Sequence, residues 1–289
     1  MVGDKHQPLD AAVIFDPLDA LLRATSAKLE REWPSHAPGG ETSSILLRGF
    51  VEISSNVWNT MRYFCADKPP DVSRKLEYSR CAPALARVVL EALFNVTFIL
   101  EDLQPRTEWF EKAGWRAMSE RLERIRSAYQ SDPDWTDYIG RCEAQVQTGI
   151  HALGITSSEA ANPTLIPRWP LLKQMKSASP QLKSHFEYLG DWFYKSLSED
   201  VHLSWPGFIR HSVTFLRLVD RDFTEDLQRQ KIETMTVTIA LLVALLSEIE
   251  IAIGVSLRTR IGYVWGLMID HQPSRELYRR RYEGLLQGD

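Results

Sequence analysis

Ile239 to Leu246 is an unbroken run of eight apolar residues inside a long helical stretch, from about Thr224 to Leu257. A helix that is apolar on every side has no face to offer to water, so the fold must enclose it. Glu248 and Glu250 interrupt the run. What remains uninterrupted is shorter than the roughly 20 residues needed to cross a bilayer. The expectation is therefore a buried core helix and no membrane partner.

The rest of the chain supports helical surroundings. Asp16-Pro17 reads as a helix start, followed by Leu18, Leu21, Leu22 and Leu29 on one face as far as Trp33. A second helix spans about Thr42 to Ala66, and a third about Val72 to Leu103, with Pro83 as a kink or restart. The segment from Arg106 to Gln130 mixes both signs of charge, the mark of a solvated, salt-laced face. Asp132-Pro133 and Ser179-Pro180 open further helices, and a last one follows Pro273-Ser274. No run shows the two-residue alternation of a half-buried strand. The fold expected is all-α, a multi-helix bundle of roughly eight helices with long antiparallel members. It reads as a single helical domain over residues 1–289, or as two helical layers joined by the Pro/Ser/Asn-rich loop at 155–170.

Composition excludes several function classes. A net charge of −4 gives the whole molecule no bulk attraction for nucleic acid, which leaves only a local basic patch for that role. Cys65, Cys81 and Cys142 are scattered, with no Cys-x-x-Cys, which argues against a zinc ribbon or a disulfide framework and fits a cytoplasmic setting. The polar start, Met1 to Asp10, does not read as a signal peptide. There is no glycine-rich phosphate loop, no Gly-x-Ser-x-Gly and no His-Glu-x-x-His.

Two helical segments carry the same polar signature. Arg48, Glu52 and Asn56 are spaced i, i+4, i+8, and so are Arg87, Glu91 and Asn95. The first set lies on the polar side of an amphipathic helix. The second is surrounded by Val88, Phe94, Phe98 and Ile99, so its charges are expected to be desolvated and to need partners. One partner set is the first triplet, in a reciprocal clasp between antiparallel helices. The other is Tyr194, Ser198 and His202, again at i, i+4, i+8. A histidine beside a carboxylate serves as acid or base near neutral pH. Glu199-x-x-His202 also has the spacing of a helical metal motif. Di-iron bundles need two such motifs and two more glutamates, however, so the expectation is no metal and no cofactor. Arg258, Arg260, Arg275, Arg279, Arg280 and Arg281, interleaved with Tyr278 and Tyr282, read as a solvated basic helix end with phosphate contact as the alternative.

Two of these segments, Ala86 to Asn95 and Tyr194-x-x-Leu197-Ser198-x-x-x-His202, resemble an uncharacterised bacterial all-helical family of unknown function, over roughly residues 80 to 265. The resemblance implies an all-α fold and pairing of the two polar helices. That family is distantly similar to the HEPN class of defence-linked and toxin RNases, which use an Arg-x4–6-His motif on the RNA phosphate and the ribose 2′-hydroxyl. The one such spacing here, Arg31 to His36, contains Pro34 and lacks the usual Asn after the Arg. The function expected from the resemblance is an RNA-acting hydrolase. Its site would hold His202, Glu91 and Arg87 as catalytic residues and Asn95, Tyr194 and Ser198 as binding residues. The alternative is a non-catalytic interaction protein that homodimerises, or docks a protein partner, through the apolar helix Ile232 to Leu257.

Overall fold

The structure is a computed structural model that describes residues 11–31, 40–65, 81–175, 179–201 and 223–286. The described residues form helices and turns with no strand, the all-α, multi-helix architecture expected. Their contacts divide them into two units. Unit 1 takes its residues from 1–101 and 176–289, and unit 2 from 102–175. The 155–170 stretch lies wholly within unit 2.

Unit 1 is built around α9, Phe223–Ile253. From Ile239 to Leu246 every residue is at most 1% exposed. Three helices cover it: α1 (Ala11–Arg31), α2 (Gly40–Cys65) and, most extensively, α3 (Ala82–Leu100). Two further helices, α10 (Arg258–Leu267) and α11 (Gln272–Arg281), also pack on α9. Pro83 stands in the first turn of α3, where its missing N–H costs nothing, and the stretch from Val72 expected to precede it lies outside the described residues up to position 80. Pro17 lies inside α1, which begins at Ala11 rather than at the Asp16-Pro17 pair. Ile14 is buried, so core contact extends the helix past the local start signal.

α3 and residues Arg229–Ile253 of α9 are each long and apolar enough to cross a membrane by length and composition. The uninterrupted run in α9 is short, but its flanking threonines, alanines and isoleucines bring the helix up to a spanning length. In the structure 61% and 78% of their most apolar stretches are buried inside the protein. Leu242 and Leu245, in the middle of the helix offered above as a dimer or docking face, are fully enclosed within unit 1.

In unit 2, α4 (Leu103–Tyr129) packs on α5 (Thr136–Ala152). Trp115, Leu122, Ile139, Val146, Ile155 and Ile166 form its small core. The mixed charges of α4 make the salt-laced face expected, with Arg116 on Glu120 and Arg126 on Glu123 and Glu143. The 155–170 stretch contains a short helix, α6 (Ser157–Ala161), started by a reciprocal Thr156–Glu159 capping box.

Candidate functional site

The site builds on α3. Most of this helix is buried, and the direction holding Ala84, Arg87, Val88, Glu91 and Asn95 reaches solvent, with Leu85 and Leu100 partly exposed. The polar triplet is therefore half-buried, not buried as the apolar neighbours suggest. The Glu91 side chain is 45% exposed and that of Arg87 16%. Arg87 Nε donates to Glu91 Oε1 at 3.0 Å, an i,i+4 pair on the helix surface.

The opposing wall comes from the chain after Ser179. α7 (Pro180–Tyr188) starts on the Ser179 cap and runs into a π-helical turn, Leu189–Tyr194, before α8 (Lys195–Val201) resumes. The turn holds one more residue than α-helical winding, with Lys195 N–H donating to Gly190 O. The extra residue rotates everything after it about the helix axis. Both the π turn and α8 pack on α3. Tyr194, the last residue of the π turn, receives a 2.9 Å hydrogen bond from Arg87 Nη2 on its hydroxyl. The guanidinium also lies over the Tyr194 ring, 4.8 Å from its centroid. Ser198, one α turn further on, has its hydroxyl enclosed with no hydrogen-bond partner among the described residues. An enclosed hydroxyl without a partner forfeits its water hydrogen bonds, a state it shares with Thr25, Ser54 and Thr97.

Arg87 thus pairs with Glu91 and Tyr194, and Arg48 and Glu52 find partners elsewhere instead of forming the reciprocal clasp. Arg48 is held by Glu52 at 2.6 Å and by Glu30 of α1 at 2.8 Å, and Ser26 donates to Glu52. α1 lies against α2 and supplies this nearer carboxylate. The first triplet is a surface network, as its amphipathic helix implied. Asn95 continues the α3 stripe and is half-buried. His202, the Glu199 side chain and His36 lie outside the described residues. Among the described residues no group of three His, Cys, Asp or Glu side chains comes together to hold a metal ion.

A second polar cluster, legible in the sequence only as separate pieces, lies deep in unit 1. Glu248 of α9 is 3% exposed and accepts two hydrogen bonds from Arg281 of α11, at 3.0 and 2.9 Å. His185 of α7 is fully buried with Nε2 3.8 Å from Glu248 Oε1, and neither ring nitrogen has a hydrogen-bond partner among the described residues. Burial pushes the His185 imidazole down to about 4; Glu248 opposes the shift, and Arg281 adds to it. Tyr282 packs edge-on to His185 and stacks on Trp265, and burial first, then Glu248, raises its phenol well above the usual value. The signal was present: a glutamate interrupting an obligatorily buried run needs a cation, and the C-terminal arginines are rich in candidates. Arg281 and Tyr282 are therefore core residues, not part of a solvated basic end.

No family model, no curated protein and no solved structure matches this chain.

Proposed function

We propose that the chain is an RNA-acting hydrolase whose reaction centre is the seam between α3 and the π turn and α8, which carry Tyr194 and Ser198, with His202 next in the sequence pattern. The single observation that carries this reading is the π turn at Leu189–Tyr194, which ends on the residue bonded to Arg87. Single π turns inside α-helices cluster at functional sites, because their irregular winding is kept where it aims a side chain. Here the aimed groups are a tyrosine and, one turn on, a serine hydroxyl without a partner among the described residues. His202 follows at the next i+4 step in sequence.

In this reading Arg87 offsets charge on a scissile phosphate, and Glu91 and Tyr194 fix the plane of its guanidinium. His202 moves the proton: its imidazole takes it from the attacking oxygen as the new P–O bond forms and returns it to the leaving 5′-oxygen as the scissile P–O bond breaks. Ser198 and Asn95 hold the phosphate or ribose oxygens. The interaction-protein alternative needs the apolar face of α9, whose central residues are already covered inside unit 1.

The test is cleavage of a labelled single-stranded RNA by the purified full chain. The intact protein is expected to cut it. His202→Ala is expected to slow cutting by about a hundredfold or more with the circular dichroism spectrum unchanged. Tyr194→Phe, which deletes only the hydroxyl on Arg87, is expected to fall between the two. A folded His202→Ala protein as active as the parent, or an inactive parent, removes the proposal.

A further inference from the structure

Unit 2 carries a groove of about 450 Å³ lined by Arg121, Ile125, Tyr129, Asp134, Trp135 and Tyr138. That volume falls in the range of small-molecule sites, roughly 300–1,000 Å³. Three aromatic rings shape it. Tyr129 and Trp135 stack in parallel with centroids 4.0 Å apart, and Trp135 meets Tyr138 edge to face at 5.7 Å. Trp135 and Ile125 pack against the unit's core, while Tyr129 is 40% exposed and leaves one ring face of the stack open to solvent.

The cations around the groove differ from the others on the same helices. Lys112, Arg116 and Arg126 each pair with a carboxylate. Arg121, Arg124 and Arg141 have no carboxylate partner among the described residues. Arg121 instead donates to the Tyr138 hydroxyl at 2.9 Å, and the Arg141 guanidinium lies 6.0 Å from the Tyr138 ring centroid. Arg124 stands one turn along α4 from Arg121. Flat rings with arginines that lack counter-charges are the chemistry that binds single-stranded nucleic acid, where bases stack and phosphates neutralise the cations. Asp134 on the groove wall supplies an acceptor for a base's exocyclic amine.

We propose that this groove is a nucleotide subsite for single-stranded RNA: one base stacks on the exposed aromatic face, and the neighbouring phosphates lie against Arg121 and Arg141. The choice of RNA rests on the hydrolase reading above; the groove's geometry does not. A protein of net charge −4 needs such a local patch to hold a polyanion at all.

The experiment is fluorescence anisotropy of a short labelled oligoadenylate with the full chain carrying His202→Ala, so that the RNA stays intact. Saturable binding is expected. Arg121→Gln combined with Arg141→Gln should weaken it by about tenfold or more and lower the salt dependence by roughly two phosphates' worth. Tyr129→Ala should weaken it by about tenfold, and Tyr129→Phe should restore it. Oligoadenylate should also compete better than inorganic polyphosphate of equal charge, which tests stacking even where the alanine variant fails to fold. Absence of binding, unchanged affinity in the folded double arginine variant, or polyphosphate competing equally well overturns the inference. Binding that depends on the groove without any cleavage keeps it while removing the hydrolase. Cleavage with binding that ignores the groove does the reverse.

Discussion

At the scale of single residues, one buried pair matters more than the surface pairs. Arg48 with Glu52 and Arg126 with Glu123 lie in water, where two long side chains gain little by meeting. Glu248 with Arg281 is different, because both groups are almost entirely out of solvent and joined by two parallel hydrogen bonds. Removing one member leaves the other charged and unsolvated. Glu248→Gln is therefore expected to destabilise unit 1 by about 3 kcal/mol, read as a lowered urea midpoint. A midpoint equal to the parent's would mean that Arg281 escapes to water when Glu248 is neutral.

At the scale of elements, two helices with the same Arg/Glu/Asn spacing reach opposite ends because of their surroundings. α2 keeps its triplet on a wet face, while α3 is enclosed on nearly every side and presents its triplet to the π turn. Spacing was readable from sequence, and the partner was not. The π turn was unreadable, since one extra residue of winding leaves no periodic mark in a stretch this short. α10 was likewise missed as a separate helix. The break before it uses Gly254 and Ser256, both at positive φ, with the Leu257 N–H held by Glu250 at 3.0 Å. In unit 2, α5 approaches α4 through a glycine. A Cβ on Gly149 would stand 2.6 Å from Cδ1 of Trp115, which is buried and tied by its Nε1 to Val146 O. Gly149→Ala gains helix propensity of up to about 1 kcal/mol but overpacks this contact, at a cost of about 1–3 kcal/mol. A lower melting temperature is the expected result. An unchanged or higher one would show that the indole gives way.

For the whole molecule, His185 ties stability to pH. In the fold it titrates near 4 because burial disfavours the imidazolium, while in the unfolded chain it titrates near its ordinary value of about 6.5. Between those values the unfolded chain binds the extra proton. Stability is therefore fully present above about pH 6.5 and falls as the pH drops towards 4, by roughly 3 kcal/mol in total. His185→Phe should flatten that part of the pH–stability curve while leaving the carboxylate-driven loss at lower pH. A variant with the parent's slope between pH 4 and 6.5 would assign the effect to other groups.

Sequence by itself determined the helical class, because an apolar run without a polar side demands burial and Pro83, Pro180 and Pro273 stand in the first turns of their helices, although Pro17 lies inside α1. It also determined that Arg87 and Glu91 sit among apolar neighbours, and that Glu248 interrupts a core helix. Only the tertiary structure decided which groups meet. Tyr194 rather than Arg48 or Glu52 stands against Arg87, and Arg281 from the far end of the chain answers Glu248. Periodicity describes one helix at a time. A hydrogen bond across 107 or 33 residues depends on how helices pack and on a single residue of π winding.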